Sequence, residues 1–166
     1  MSLLKYDEQY IQSHDIDWFC VVNQDYIYVS SVGGQLPEKV NHRMNLRKLQ
    51  YEVDKMPEIY TNEEIDVNYP FLHSLLQTNE NDDEKIKDYL GVFLSMSRKG
   101  FIALDRTDIN DPDDPNYHVV CVPKGNKELV KPEHIFSFET QEVGLFSGSL
   151  ENIHLVEILD HIDNGR

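Results

Sequence analysis

The sequence predicts an α+β fold: a mostly antiparallel sheet with an N-terminal hairpin and two or three packed helices. Three observations predict it. Aromatic and β-branched residues crowd positions 17–31 around a polar break, two apolar stripes at three- and four-residue steps follow, and short apolar runs return after Gly100.

The hairpin comes first. Asp17 to Asn23 and Tyr26 to Ser31 read as strands, with Asn23-Gln24-Asp25 as turn formers between them. Trp18, Cys20 and Val22 share one face, and Tyr26 and Tyr28 alternate with Ile27 and Val29. Gly33-Gly34 then breaks the ladder, and Pro37 keeps it from resuming. A helix follows at about 41–55, striped by Leu46, Leu49, Val53 and Met56, with Asn41 or Asn45 as its cap and Pro57 at its end. A second helix covers about 83–99. Ile86, Tyr89, Leu90, Phe93 and Leu94 form its stripe, acids fill its first turn, Arg98 and Lys99 its last, and Gly100 takes the left-handed position beyond. Phe101 to Leu104, Tyr117 to Val122 and His134 to Phe138 read as strands. For residues 150–162 both helix and strand patterns fit. Helix is favoured because Ser149 can cap it and Asn164-Gly165 can end it.

The 166 residues are expected to form a single domain, with 15 Lys+Arg against 30 Asp+Glu and a formal charge of −15. At 40% hydrophobic the chain is too apolar to be a disordered acidic segment. Such a charge argues against nucleic acid as a partner, because that affinity comes from cations replacing counterions on phosphates, and against an anionic membrane surface for the same reason. Met1 to Glu8 lacks the basic-then-apolar layout of a signal peptide, and no run approaches a membrane span, so a cytoplasmic setting is expected. Cys20 and Cys121 sit in apolar runs, where a thiol behaves as a small hydrophobe.

Chemical signatures are sparse. Gly33-Gly34 is too short for a phosphate loop, and Gly144-Leu145-Phe146-Ser147-Gly148 places its serine one position late for a nucleophile elbow. His154 and His161 would share a helical face, but no third ligand lies near them in sequence. Counting from Asp108, the acidic loop places Pro112, Asp113 and Val119 where a calcium loop needs a ligand, a glycine and a bidentate Glu. Neither a metal nor a cofactor is therefore expected.

Two carboxylate clusters remain. Asp105, Asp108, Asp111, Asp113 and Asp114 stand together with only Arg106 in opposition, and Glu58, Glu63, Glu64 and Asp66 stand together with no base among them. One reading is a solvated, solubilising face; the other is an anionic surface that steers and holds a basic protein partner. Tyr60, Tyr69 and Tyr117 lie beside these clusters as candidate interface anchors.

A resemblance favours the second reading. Asp15-Ile16-Asp17-Trp18-Phe19-Cys20-Val21-Val22-Asn23, the return Tyr26 to Ser31, Gly33-Gly34-Gln35-Leu36-Pro37, Ser97 to Asp105 and Tyr117 to Pro123 together resemble a group of small acidic bacterial proteins. These occur in loci like those of polymorphic-toxin and contact-dependent-inhibition systems. The resemblance implies an immunity protein that neutralises a cognate toxin by stoichiometric binding and transforms nothing. Two other readings stand beside it. Asp105 and His118, at the ends of neighbouring strands, could serve a metal-dependent or acid–base hydrolase; alternatively, the same acidic surface could serve a cytoplasmic regulatory module.

Overall fold

In the computed structural model, which describes residues 4–22, 24–79, 83–111, 113, 116–138 and 152–153, the hairpin consists of β1 (Asp17–Val22) and β2 (Asp25–Ser30). Their antiparallel register runs from Asp17 opposite Ser30 to Val22 opposite Asp25. A short helix, α1 (Glu8–Ser13), precedes them and is capped by the Asp7 side chain. The two striped helices form as α2 (Arg43–Asp54) and α4 (Asp83–Arg98). The cap of α2 differs from the expectation: His42 accepts from the Asn45 N–H. Asn41 instead grips the Tyr6 backbone, with Oδ1 accepting from its N–H and Nδ2 donating to its carbonyl. Gly100 leaves α4 at φ +109°, the left-handed exit expected of it.

Between these helices lie two elements that carry little pattern. A 3-10 turn, Asn62–Glu64, leads into β3 (Ile65–Val67), and α3 (Tyr69–Leu75) starts with Pro70 in its first turn. The remaining strands are β4 (Ile102–Arg106), β5 (Tyr117–Pro123), β6 (Phe136–Phe138) and β7 (Asn152–Ile153). For residues 150–162 the helix reading is corrected at its two described positions, since β7 pairs antiparallel with β5; the rest lies outside the described residues.

The sheet runs β3-β5-β4-β2-β1-β6, with β7 also against β5. It is mixed, not mostly antiparallel: β2 pairs parallel with β4, and β1 parallel with β6. Parallel neighbours need a long crossover, and the chain between β2 and β4 supplies one that contains α2, α3 and α4. Burial follows from that. Trp18, Phe19, Cys20, Val21 and Val22 are all buried, so β1 is covered on both faces and reads as a continuous apolar run. On one face the rings of Phe19 and Tyr28 meet Phe101 and Phe93, which seats α4 over the centre of the sheet. Cys20 and Cys121 are buried thiols, and burial pushes Cys121 up to about 12. Among the described residues no helix is long and apolar enough to cross a membrane.

Candidate functional site

Beneath the N-terminal half of α4 the strand register assembles a polar row. Asp17 of β1 lies across from Ser30 of β2, Ser30 from Asp105 of β4, and Asp105 from His118 of β5. Directly paired residues share a face, so these four positions cross four strands side by side. Tyr89 closes the row from α4. Its hydroxyl donates to Asp105 Oδ2 at 2.6 Å and lies 2.9 Å from His118 Nε2. A hydroxyl has one proton to give, so the contact with His118 is made by Nε2–H donating to the Tyr89 oxygen. His118 Nδ1 is then the acceptor that faces the Thr107 hydroxyl at 3.2 Å. Asp105 Oδ1 takes the Arg106 backbone N–H at 2.9 Å.

Burial governs the charges here. It raises Asp105 to about 6 against hydrogen bonds that pull the other way, and it raises Asp17 to about 6 with help from the charges of Asp15 and Asp105. It lowers His118 to about 4 and also pushes the Tyr28 and Tyr89 phenols up. Burial thus favours the neutral form of every titratable member of the group. His118 is 0% exposed and Asp105 9%, with the Phe71 ring 4.9 Å from the imidazole, so neither group is presented at the surface to a reacting molecule.

Two loops leave the sheet at this end, from the carboxyl ends of the parallel strands β2 and β4. The first is Ser31 to Gly34. Val32 has φ +42°, a left-handed backbone that costs a β-branched residue roughly 1–3 kcal/mol. Its peptide groups are clamped: the N–H donates to Asp15 Oδ1 at 3.1 Å, and the carbonyl accepts from Arg106 at 2.9 Å. Gly34 has no room for a side chain, because a Cβ would lie 2.7 Å from the Tyr117 hydroxyl and 2.9 Å from Arg106 Cδ. The second loop joins β4 to β5 and is closed by the Thr107 N–H bonding the Asn116 carbonyl.

Arg106 stands between the loops. It is 2% exposed, and its guanidinium donates to the carbonyls of Val32 and Asp111. The base expected to offset the acidic loop is thus spent on backbone inside the fold. Asp108 and Asp111 each turn one carboxylate oxygen back to a loop N–H, of Asn110 and Asp113 respectively. Asp108, Asp111 and Asp113 are exposed, and no ion pair among the described residues involves them. Asp114 lies outside the described residues.

Other expectations need correcting. Asp105 and Tyr117 cannot contact a partner as surface groups: Asp105 is buried in the polar row, and Tyr117 is 1% exposed. Tyr60 is buried too, with its hydroxyl accepting from the Lys127 N–H, whereas Tyr69 is exposed. The 58–66 cluster has no base nearby in sequence, but the fold supplies three. Arg98 pairs with Glu58 at 3.0 Å, Lys127 with Glu64 at 2.9 Å and Lys124 with Asp66 at 3.4 Å. Glu63 stays exposed, its carbonyl taking Lys124 Nζ at 3.4 Å. A cavity of about 640 Å³ opens at the opposite end of the sheet, lined by Asp25, Tyr26, Tyr60, Lys127 and Leu129 among others.

No family model matches the chain, and no curated protein or solved structure does either. The sequence pattern pairs Asp105 with His118 but gives no sign of Tyr89, which bridges them. The Tyr89 signal is hidden in the apolar stripe of its helix, and only the docking of α4 on the sheet turns it into a polar bridge. Asp17 was visible solely as a polar lead-in to a buried strand. His154 and His161 lie outside the described residues.

Proposed function

We propose that this chain is a non-enzymatic binding protein, the immunity half of a bacterial toxin–immunity pair, which neutralises its toxin stoichiometrically in the cytoplasm through an acidic surface. The observation that carries the reading is the β4–β5 loop. Its backbone is tied down by buried Arg106, while Asp108, Asp111 and Asp113 face solvent without a described counter-cation. Fixing the backbone first lowers the ordering cost of binding, and unpaired carboxylates on a chain of charge −15 steer a basic partner inward. Glu58, Glu64 and Asp66 belong to the periphery of such a surface, because a partner's cations would compete with ion pairs already made. The resemblance to immunity proteins supports the same conclusion, and a toxin with a basic substrate groove suits a surface whose carboxylates stand in for phosphates. Burial of the Asp105–Tyr89–His118 group weighs against the hydrolase reading.

The test is association kinetics with the toxin module encoded by the adjacent upstream gene. The triple change Asp108→Asn, Asp111→Asn, Asp113→Asn keeps the turn-forming side chains and removes the charge. It is expected to slow association by about tenfold at low salt, within the roughly 10–10³-fold range of electrostatic steering, and to matter far less at high salt. Equal rates for both proteins at both salts would sink the electrostatic mechanism, and failure of that module to bind at all would remove the toxin–immunity assignment.

A further inference from the structure

Away from that loop, a second set of chemistry-bearing side chains converges where α2 meets the chain entering β6. Glu52 comes from α2 and is half-buried, as is His134, whereas Glu133 is exposed; the latter two stand in the turn just before Phe136. Glu52 Oε2 accepts the His134 backbone N–H at 3.1 Å, and Oε1 contacts His134 Nδ1 directly. One donor atom from each of Glu52, Glu133 and His134 lies within 4.8 Å of the other two.

We propose that Glu52, Glu133 and His134 form a binding site for a divalent transition-metal ion of the Zn²⁺ class. The donor set selects the ion. Calcium and magnesium take oxygen ligands, whereas an imidazole with two carboxylates suits zinc and its neighbours. Three protein ligands with a position left for water is a familiar zinc arrangement. The geometry is largely built before any ion arrives, because the His134 N–H fixes the Glu52 carboxylate against the imidazole edge. The ion would sit where Nδ1 and Oε1 now meet, held by the Nδ1 lone pair of a neutral imidazole whose single proton rests on Nε2, and Glu133 would close the third side. Binding would fasten the turn before β6 to α2, and β6 is held on the sheet by its parallel pairing with β1. The site is independent of the toxin-binding reading.

A plain Glu52–His134 ion pair is the competing account, and Glu133 separates the two. Glu133→Gln leaves that ion pair in place and removes only the third ligand. The full chain, stripped with chelator, is titrated with ZnCl₂ by calorimetry at neutral pH. One Zn²⁺ per chain is expected to bind. Glu133→Gln should weaken binding by at least about tenfold, since even outer-shell partners of a metal cost about 10–100-fold, and His134→Gln should abolish it. His14→Gln, at an exposed histidine beyond α1, should leave it unchanged. The wild type failing to bind Zn²⁺ saturably overturns the proposal, and so does equal affinity in wild type and Glu133→Gln.

Discussion

A carboxylate taken out of water favours its neutral form, and Asp105 combines that burial with a proton-donating neighbour on each oxygen. The sign of the resulting pH dependence follows directly. With Asp105 at about 6 in the folded chain against an ordinary 3.8, the folded state binds the proton more tightly between those values. Its contribution to stability therefore grows as pH falls through 6, is complete below 3.8 and is lost as pH rises again; the full span corresponds to about 3 kcal/mol. Asp17 acts in the same direction, discounted because it is partly exposed. His118 opposes both. Lowered to about 4 from 6.5, it stays neutral when folded, so its contribution is lost as pH falls through that window. Between pH 7 and pH 5 the carboxylates and the imidazole pull in opposite directions, so the Asp105 part is read against a variant that cannot take up its proton, on which wild type should gain as pH falls. Denaturant melts of wild type and Asp105→Asn across that range check this. The variant loses one acceptor oxygen and starts lower, and its deficit against wild type should widen from pH 7 to pH 5. Parallel slopes would mean that Asp105 does not take up the proton.

At the scale of elements, α4 covers the polar row and the centre of the sheet, yet it carries a glycine in its exposed middle. Gly91 has nothing within 4 Å of where a Cβ would sit, so alanine there meets no neighbour and removes the backbone freedom that a helical glycine loses on folding. Gly91→Ala is expected to stabilise the chain by about 1 kcal/mol, read as a melting temperature higher by roughly 2–4 °C. A lower melting temperature would mean that the glycine serves something other than the helix. This helix was also the most legible element, because stripe and charged ends within its sixteen residues agree with the glycine just beyond them. Local pattern likewise located the hairpin and α2. It could not locate β3, whose three residues form a strand only because β5 offers an edge, or α3, whose start is marked by little beyond Pro70. The parallel pairing of β2 with β4 joins residues some 75 positions apart, as in Ile27 with Ile102, and no local spacing encodes that. Tertiary docking likewise joins Tyr89 to Asp105 across 16 positions and brings Glu52 to Glu133 across 81, neither of which a local pattern encodes.

For the whole molecule, the question is whether the ion pairs among the described residues offset the repulsion implied by a charge of −15. The pairs of Glu58, Glu64 and Asp66 are largely solvent-exposed, and such pairs typically contribute about 0–1 kcal/mol each. Arg106 uses its charge on carbonyls, and Lys99 points its ammonium at the carbonyls of Val53 and Asp54, so these cations serve the backbone instead of neutralising surface carboxylates. Repulsion among the remaining acids is long-ranged and favours the expanded chain, whereas short ion pairs favour the folded one. Salt screens both. Its Debye length is about 30 Å at 0.01 M and about 8 Å at 0.15 M, so distant repulsion fades before contacts at 3 Å do. Melting temperature should therefore climb as NaCl is raised from about 0.01 to 0.15 M, with most of the gain in that interval. Asp108→Asn, Asp111→Asn, Asp113→Asn should flatten the climb, because the variant starts with three fewer repelling charges. A melting temperature that falls with salt would put the ion pairs in control, and the surface would then have little unspent negative potential to offer a basic partner.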